Sequence, residues 1–137
     1  MLQTKDWMRV VSQFKTQTLP KTEWTHHAHL VVALWHLLEY KEIYSTLCYL
    51  RPDIIIYNHS VGTKNTDSSG YHETTTVFWL KKIKEFIDNE SSKDFNTLVE
   101  KLLRETPFTQ KEYILTFYKK EVLKSSEARC FYIASSF

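Results

Sequence analysis

Two glycines, three prolines and two cysteines among 137 residues exclude several architectures. A β-sandwich or barrel needs many more turn residues, so the scarcity of glycine and proline favours long helices. The cysteines, Cys48 and Cys130, make neither a C-x-x-C pair nor a secreted disulfide framework. They read as two buried thiols in a reducing compartment. No apolar run reaches the roughly 20 residues of a membrane span. The opening Met1-Leu2-Gln3-Thr4-Lys5-Asp6 lacks the apolar core of a signal peptide. Nor is one sign of charge in excess: 18 basic and 16 acidic residues leave a net charge of +2. That balance gives no electrostatic footprint for nucleic acid or an acidic membrane surface. The expectation is a cytoplasmic protein whose partner is a small molecule.

What is present is a hydrophobic fraction of 42% with 15% aromatics, enough to build one ordinary domain core. Apolar spacing predicts a first helix around Asp6 to Thr16, with Trp7, Val10, Val11 and Phe14 on one face. A second, capped by Thr22 or Thr25, runs to about Tyr40. Its apolar residues cover more than a stripe, so it is expected to be central. A third fits Lys41 to Tyr57, with Pro52 expected to kink or interrupt it. The β-branched run Ile54-Ile55-Ile56-Tyr57 also admits a strand. A polar connection, residues 58–70, holds both glycines, and a fourth helix follows from about Tyr71 to Asn89. A fifth spans Asp94 to Arg104. Shorter helical pieces follow Pro107, Ser125 or Ser126 caps a last turn containing Ala128, and the apolar tail Cys130-Phe131-Tyr132-Ile133 is expected to dock on the body. The fold class is all-α: a compact single-domain bundle of about five to six helices over 1–137. Trp7, Trp24, Trp35 and Trp79 read as core.

The six histidines carry the chemistry. Three fall in Trp24-Thr25-His26-His27-Ala28-His29-Leu30, and a fourth in Gly70-Tyr71-His72-Glu73-Thr74-Thr75-Thr76. Neutral imidazole is the commonest ligand for transition metals. At about 100° per residue, His26 and His29 are neighbours on one helical face, whereas His27 points away. His36 returns to the azimuth of His29 but lies about 10 Å further along the axis. It would line the same groove at another level, or sit hydrogen-bonded in the core. His59 falls in a polar loop and reads as solvated. A third ligand must come from elsewhere, and His72 is the best placed. Two histidines on one helix and a third from a neighbour would leave coordination positions open, as catalytic metal sites require. The expected cofactor is a divalent transition metal ion (zinc, iron, nickel or manganese). Glu73 would then serve as acid/base or fourth ligand, and Tyr71, Thr76 and Asn58 would orient substrate or the imidazole rings.

The same residues admit plainer readings. H-x-x-H is far less specific than H-E-x-x-H, and Tyr71-His72-Glu73-Thr74 fits an ordinary helix start. A metal-free groove binding a small polar or anionic ligand through Arg51, His29 and His72 is the alternative, and Arg51 with Asn58, Asn65 and Thr66 fits an anion near the His72 helix start. A helical interaction or regulatory protein without pocket chemistry is a third. The chain has no G-x-S-x-G elbow, no phosphate-cradling glycine loop, no dinucleotide fingerprint and no paired Glu-x-x-His signature.

Three ordered segments resemble a family of small uncharacterised bacterial helical proteins. Thr25-His26-His27-Ala28-His29-Leu30, followed by Trp35, is similar to that family's T-H-x-x-H-[LV] opening. Gly70-Tyr71-His72-Glu73-Thr74-Thr75-Thr76 resembles its G-x-Y-H-E-T-x-T segment, with Gly70 standing immediately before the tyrosine. The run Tyr118 to Arg129 resembles its Y-S-x-x-x-L-x-S-x-x-A-R ending, with Lys119 where the ending has serine. The resemblance implies a small helical fold and picks out His26, His29 and His72 over the other histidines. It implies no particular reaction.

Overall fold

The computed structural model describes residues 5–135. Helix α1 (Trp7–Lys15) starts where the Asp6 carboxylate accepts the Arg9 N–H at 3.0 Å, and it buries Val10, Val11 and Phe14. That is one stripe of an amphipathic helix. Helix α2 (His26–Tyr40) is capped by the Thr25 hydroxyl, which accepts the Ala28 N–H at 3.2 Å. It buries Ala28, Leu30, Val31, Val32, Ala33, Leu34, His36 and Leu37. Such burial on nearly every side makes α2 the axis on which α1, α3, α4 and α5 pack. Helix α3 (Ile43–Ser60) runs unbroken through Pro52. The expected interruption is absent because Pro52 lies on the exposed side, where water can take the carbonyl that loses its N–H partner. The Ile54–Tyr57 run is helical, and no strand occurs among the described residues.

Helix α4 (Glu73–Asp88) and helix α5 (Phe95–Glu105) complete the long elements, the latter capped by Asp94. Two 3₁₀ segments, Pro107–Thr109 and Lys111–Thr116, precede the short helices α6 (Lys120–Leu123) and α7 (Ser126–Cys130). One continuous apolar cluster draws on all five long helices and both 3₁₀ segments. No described helix is long and apolar enough to cross a membrane.

One expectation needs correction. Cys48 and Cys130 are exposed free thiols, because the outer faces of α3 and α7 carry them. The tail docks as expected, but through its backbone: Thr74 Oγ1 donates to Phe131 O at 2.8 Å and accepts the Ile133 N–H at 3.0 Å, while the Phe131 side chain stays 68% exposed.

The connection from α3 to α4 is folded back and fastened by Asn65. Its Oδ1 accepts from Asn58 Nδ2 and from the Tyr71 N–H, both at 3.0 Å, and its Nδ2 donates to Ile55 O at 3.0 Å. Gly70 closes the turn at φ +79, with Lys64 O and Asn65 packed where a Cβ would stand; Gly62, at φ +81, faces open space. Gly62→Ala should therefore cost only the left-handed strain, about 1–2 kcal/mol. Gly70→Ala adds overpacking and should cost about 3 kcal/mol in all. Urea unfolding of the two variants measures the difference; equal losses would mean that the loop is not held as described.

Candidate functional site

Imidazole offers each neighbour either one N–H or one lone pair per nitrogen, so its partners fix what remains available. His26 Nε2 lies 2.7 Å from Phe108 O and must donate to it. Its ring meets the Trp79 ring edge-on at 5.1 Å, and its Nδ1 has no partner among the described residues. His29 Nδ1 donates to Thr25 O at 2.7 Å, within the first turn of α2. The ring lies against Trp24, with centroids 3.8 Å apart, and Nε2 is left as a bare acceptor. His72 is different. As N-cap of α4 its Nδ1 accepts the Thr75 N–H at 3.1 Å, and its Nε2 donates to Leu123 O at 2.7 Å. Both nitrogens are engaged with backbone, which leaves no lone pair for an ion. His36 is fully buried in α2, bonded to Val32 O at 2.7 Å and to Asp53 Oδ2 at 3.0 Å. It belongs to the core. His27 and His59 are exposed.

His26 and His29 therefore share a groove, and His72 does not join them. The groove, about 700 Å³, runs between the start of α2, the middle of α4 and the Lys111–Thr116 segment. Trp79, Ile114 and Leu115 give it apolar walls; Thr75, Lys111, Glu112 and Lys120 give it polar ones. At its inner end His29, Thr75 and Trp79 also border a chamber of about 50 Å³, otherwise lined mainly by Leu30, Ala33, Leu50 and Ile54. The Thr75 hydroxyl has no hydrogen-bond partner, and neither lysine has a carboxylate within ion-pair distance, among the described residues.

The surroundings hold these imidazoles neutral. Burial lowers His26, against the Phe108 carbonyl, which raises it. Burial also pushes His29 down to about 4, with the neighbouring His26 adding to the effect. Water reaches the His29 ring through the groove while protein crowds it on its other sides. Contact with that water moderates the effect of burial, but its direction stands. Burial and the Arg129 charge lower His72.

The Tyr71-His72-Glu73 segment builds a second cluster. Arg51 grips Glu73 with two donors, Nε to Oε1 at 3.0 Å and Nη2 to Oε2 at 2.6 Å, and the Tyr71 hydroxyl donates to Oε1 at 2.7 Å. Burial alone would raise the Glu73 carboxyl, but the bonds from Arg51 and Tyr71 outweigh it and hold the group below the usual carboxylate range. Burial, and then the bond to Glu73, raise Tyr71 well above an ordinary phenol. A carboxylate fixed by three donors is a poor proton shuttle. Arg51, Tyr71 and Glu73 border a different recess from His26 and His29. Thr76 donates to His72 O at 2.8 Å and borders the inner chamber, whereas Asn58 is buried behind Asn65. The structure thus divides one expected set of residues between two places.

No group of three His, Cys, Asp or Glu side chains stands in position to hold a metal ion among the described residues. Sequence reasoning did not single out Thr75, Lys111, Glu112 or Lys120, because the last two lysines' segments carry no periodicity and Thr75 is one of three consecutive threonines. No family model, curated protein or solved structure matches the chain.

Two pH effects follow. His26, His29 and His72 bind fewer protons folded than unfolded, so their contribution is complete above the ordinary imidazole value of 6.5 and is lost as pH falls through the lowered folded values. The thermal midpoint should fall across that window, with a shallower slope in His29→Gln; a flat midpoint would contradict the neutral assignment. Glu73, being depressed, stabilises above the usual carboxylate value of 4.5 and ceases to as pH falls through its folded value. Glu73→Gln should cost about 1.5 kcal/mol at neutral pH, the low end for a charged hydrogen bond because Arg51 is partly solvated. Denaturant titration at both ends of the range should show that deficit shrinking in acid.

Proposed function

We propose that the protein binds a small organic anion in the groove between α2, α4 and the Lys111–Thr116 segment, without a metal. The observation that carries this reading is the set of groups on one groove that are unengaged among the described residues. His29 Nε2 is a lone-pair acceptor, the Thr75 hydroxyl has no hydrogen-bond partner, and Lys111 and Lys120 have no carboxylate partner; His29 and Thr75 also border the apolar chamber. A ligand carrying an O–H or N–H donor beside its anionic group meets every one of them. The donor bonds to His29 Nε2, the anion lies near the lysines, and a short alkyl arm enters the chamber. An engineered cavity of about 150 Å³ holds benzene; a third of that volume suits a short aliphatic arm. Pockets of this kind, apolar with a few convergent polar groups, are the usual form of small-molecule sites.

A second reading, a metal-dependent enzyme, draws on the same lone pairs. His26 Nδ1 and His29 Nε2 would be two donors three residues apart on one helix, for zinc, iron, nickel or manganese. It needs a third donor, and among the described residues Glu112 is the carboxylate that borders the groove. His72 has both nitrogens occupied and cannot serve without releasing Leu123 O or the Thr75 N–H.

Thermal-shift screening of short 2-hydroxy and 2-amino acids separates the two. A ligand at a hundredfold excess over its Kd adds about 2.7 kcal/mol to stability. At least one such acid should raise the midpoint, and Thr75→Val should weaken that ligand at least tenfold while leaving the free protein near its original midpoint. A midpoint that drops on chelation and ignores the whole panel would replace this reading with the metal one.

A further inference from the structure

A second recess, about 360 Å³, opens where α3, the turn before α4 and α7 meet; Arg51, Thr66, Glu73, Arg129 and Cys130 border it. It shares no residue with the groove proposed above. Its charges do not balance. Arg51 is matched by Glu73, through Nε and Nη2, and its Nη1 has no partner among the described residues. Arg129 is half-buried and donates only to backbone: from Nη1 to Gly70 O at 2.8 Å and to Tyr71 O at 3.5 Å. No carboxylate lies within ion-pair distance of it among the described residues, and its Nη2 and Nε are unused. Guanidinium groups withdrawn from water are ordinarily paired with an anion. The excess is felt nearby, since the Arg129 charge opposes protonation of His72.

We infer that this recess is a site for a phosphate group, free or as a small phosphomonoester, held between the open guanidinium edges of Arg129 and Arg51. A planar guanidinium presents paired N–H donors that match oxyanion geometry. A phosphate presents oxygens tetrahedrally and can offer an edge to each of two guanidinium groups at once, whereas the two coplanar oxygens of a carboxylate match one fork at a time. The recess exceeds the size of a bare phosphate, which leaves room for the ester portion beside Ile55.

Cys130 borders the recess as an exposed thiol, and Cys48, also exposed, lies outside it. That pair supplies a site-resolved test on the intact protein. Iodoacetamide, an uncharged reagent, would be applied in inorganic phosphate, in glycerol phosphate, in acetate and in chloride, all at equal ionic strength. Modification of each cysteine would be followed by peptide mass spectrometry. Phosphate and glycerol phosphate should slow Cys130 several-fold relative to chloride and leave Cys48 unchanged. Protection stronger in glycerol phosphate would place the source as an ester, and equal protection as phosphate itself. Arg129→Lys, which keeps a donor for Gly70 O and the charge but loses the fork, should reduce the protection. Three results would overturn the inference: equal Cys130 rates in phosphate and chloride, equal slowing of both cysteines, or acetate protecting as well as phosphate.

Discussion

The bond from His72 Nε2 to Leu123 O spans 51 residues of sequence at 2.7 Å, and much of the molecule's chemistry depends on it. With Nδ1 capping α4, this imidazole fixes where that helix begins. The register of α4 then follows, placing Thr75 and Trp79 on the groove, Thr74 under the C-terminal tail, and Glu73 against Arg51. A serine or aspartate could cap the helix as well. Neither would reach a carbonyl on the far side at the same time, because neither carries a donor and an acceptor on opposite edges of a rigid ring. The histidine thus has a structural role in a specific sense, and to act as the third metal ligand that sequence spacing offers it would have to give up one of these two bonds.

The fold was legible in the sequence because it rests on periodicity. Val10, Val11 and Phe14 mark the inner face of α1, and the breadth of apolar residues from Leu30 to Leu38 marks α2 as central. Of the caps the sequence offers, Thr25 rather than Thr22 and Ser125 rather than Ser126 serve, and Asp94, where the fifth helix is expected to begin, caps it. Pro52 misled, since proline breaks a helix only when the lost hydrogen bond cannot be replaced, and exposure is a tertiary property. The site was legible only in part. Spacing correctly makes His26 and His29 neighbours, but it carries no information on which ring nitrogen meets a backbone carbonyl. His72 Nε2 is taken by Leu123, and His36 is held by Val32 in its own helix and by Asp53; Leu123 and Asp53 become partners only once the chain has packed.

The resemblance segments acquire a physical sense in this light. Gly70 tolerates the turn that Lys64 and Asn65 crowd, Tyr71 and Arg51 fix Glu73, Thr74 holds the tail, and Thr76 closes back on His72 O. Arg129 ties α7 to the Gly70 carbonyl. A run that looks like a catalytic motif is therefore a junction of loop, helix start and tail. Such a junction demands particular residue types as strictly as a reaction would, so residue pattern alone does not tell one from the other.

A net charge of +2 conceals an uneven distribution. Some surface cations sit beside carboxylates, such as Arg9 with Glu23, Lys84 with Asp88 and Lys101 with Glu90, and others, such as Lys15, Lys41 and Lys64, have none within ion-pair distance among the described residues. Exposed pairs of this sort contribute little to stability, since solvent screens them. Lys111 and Lys120 border the groove, and Arg129 the second recess, without such a partner among the described residues. Low-dielectric walls strengthen the field of a cation in a concavity and draw anions toward it. Neutral imidazoles at the groove add acceptors without adding charge, so the positive potential there comes from the lysines at the rim, reduced by the neighbouring Glu112. The ligand we propose for this groove would place its charge outward at the lysines and its apolar part inward at the chamber, the same order of polarity in which the protein wall is built.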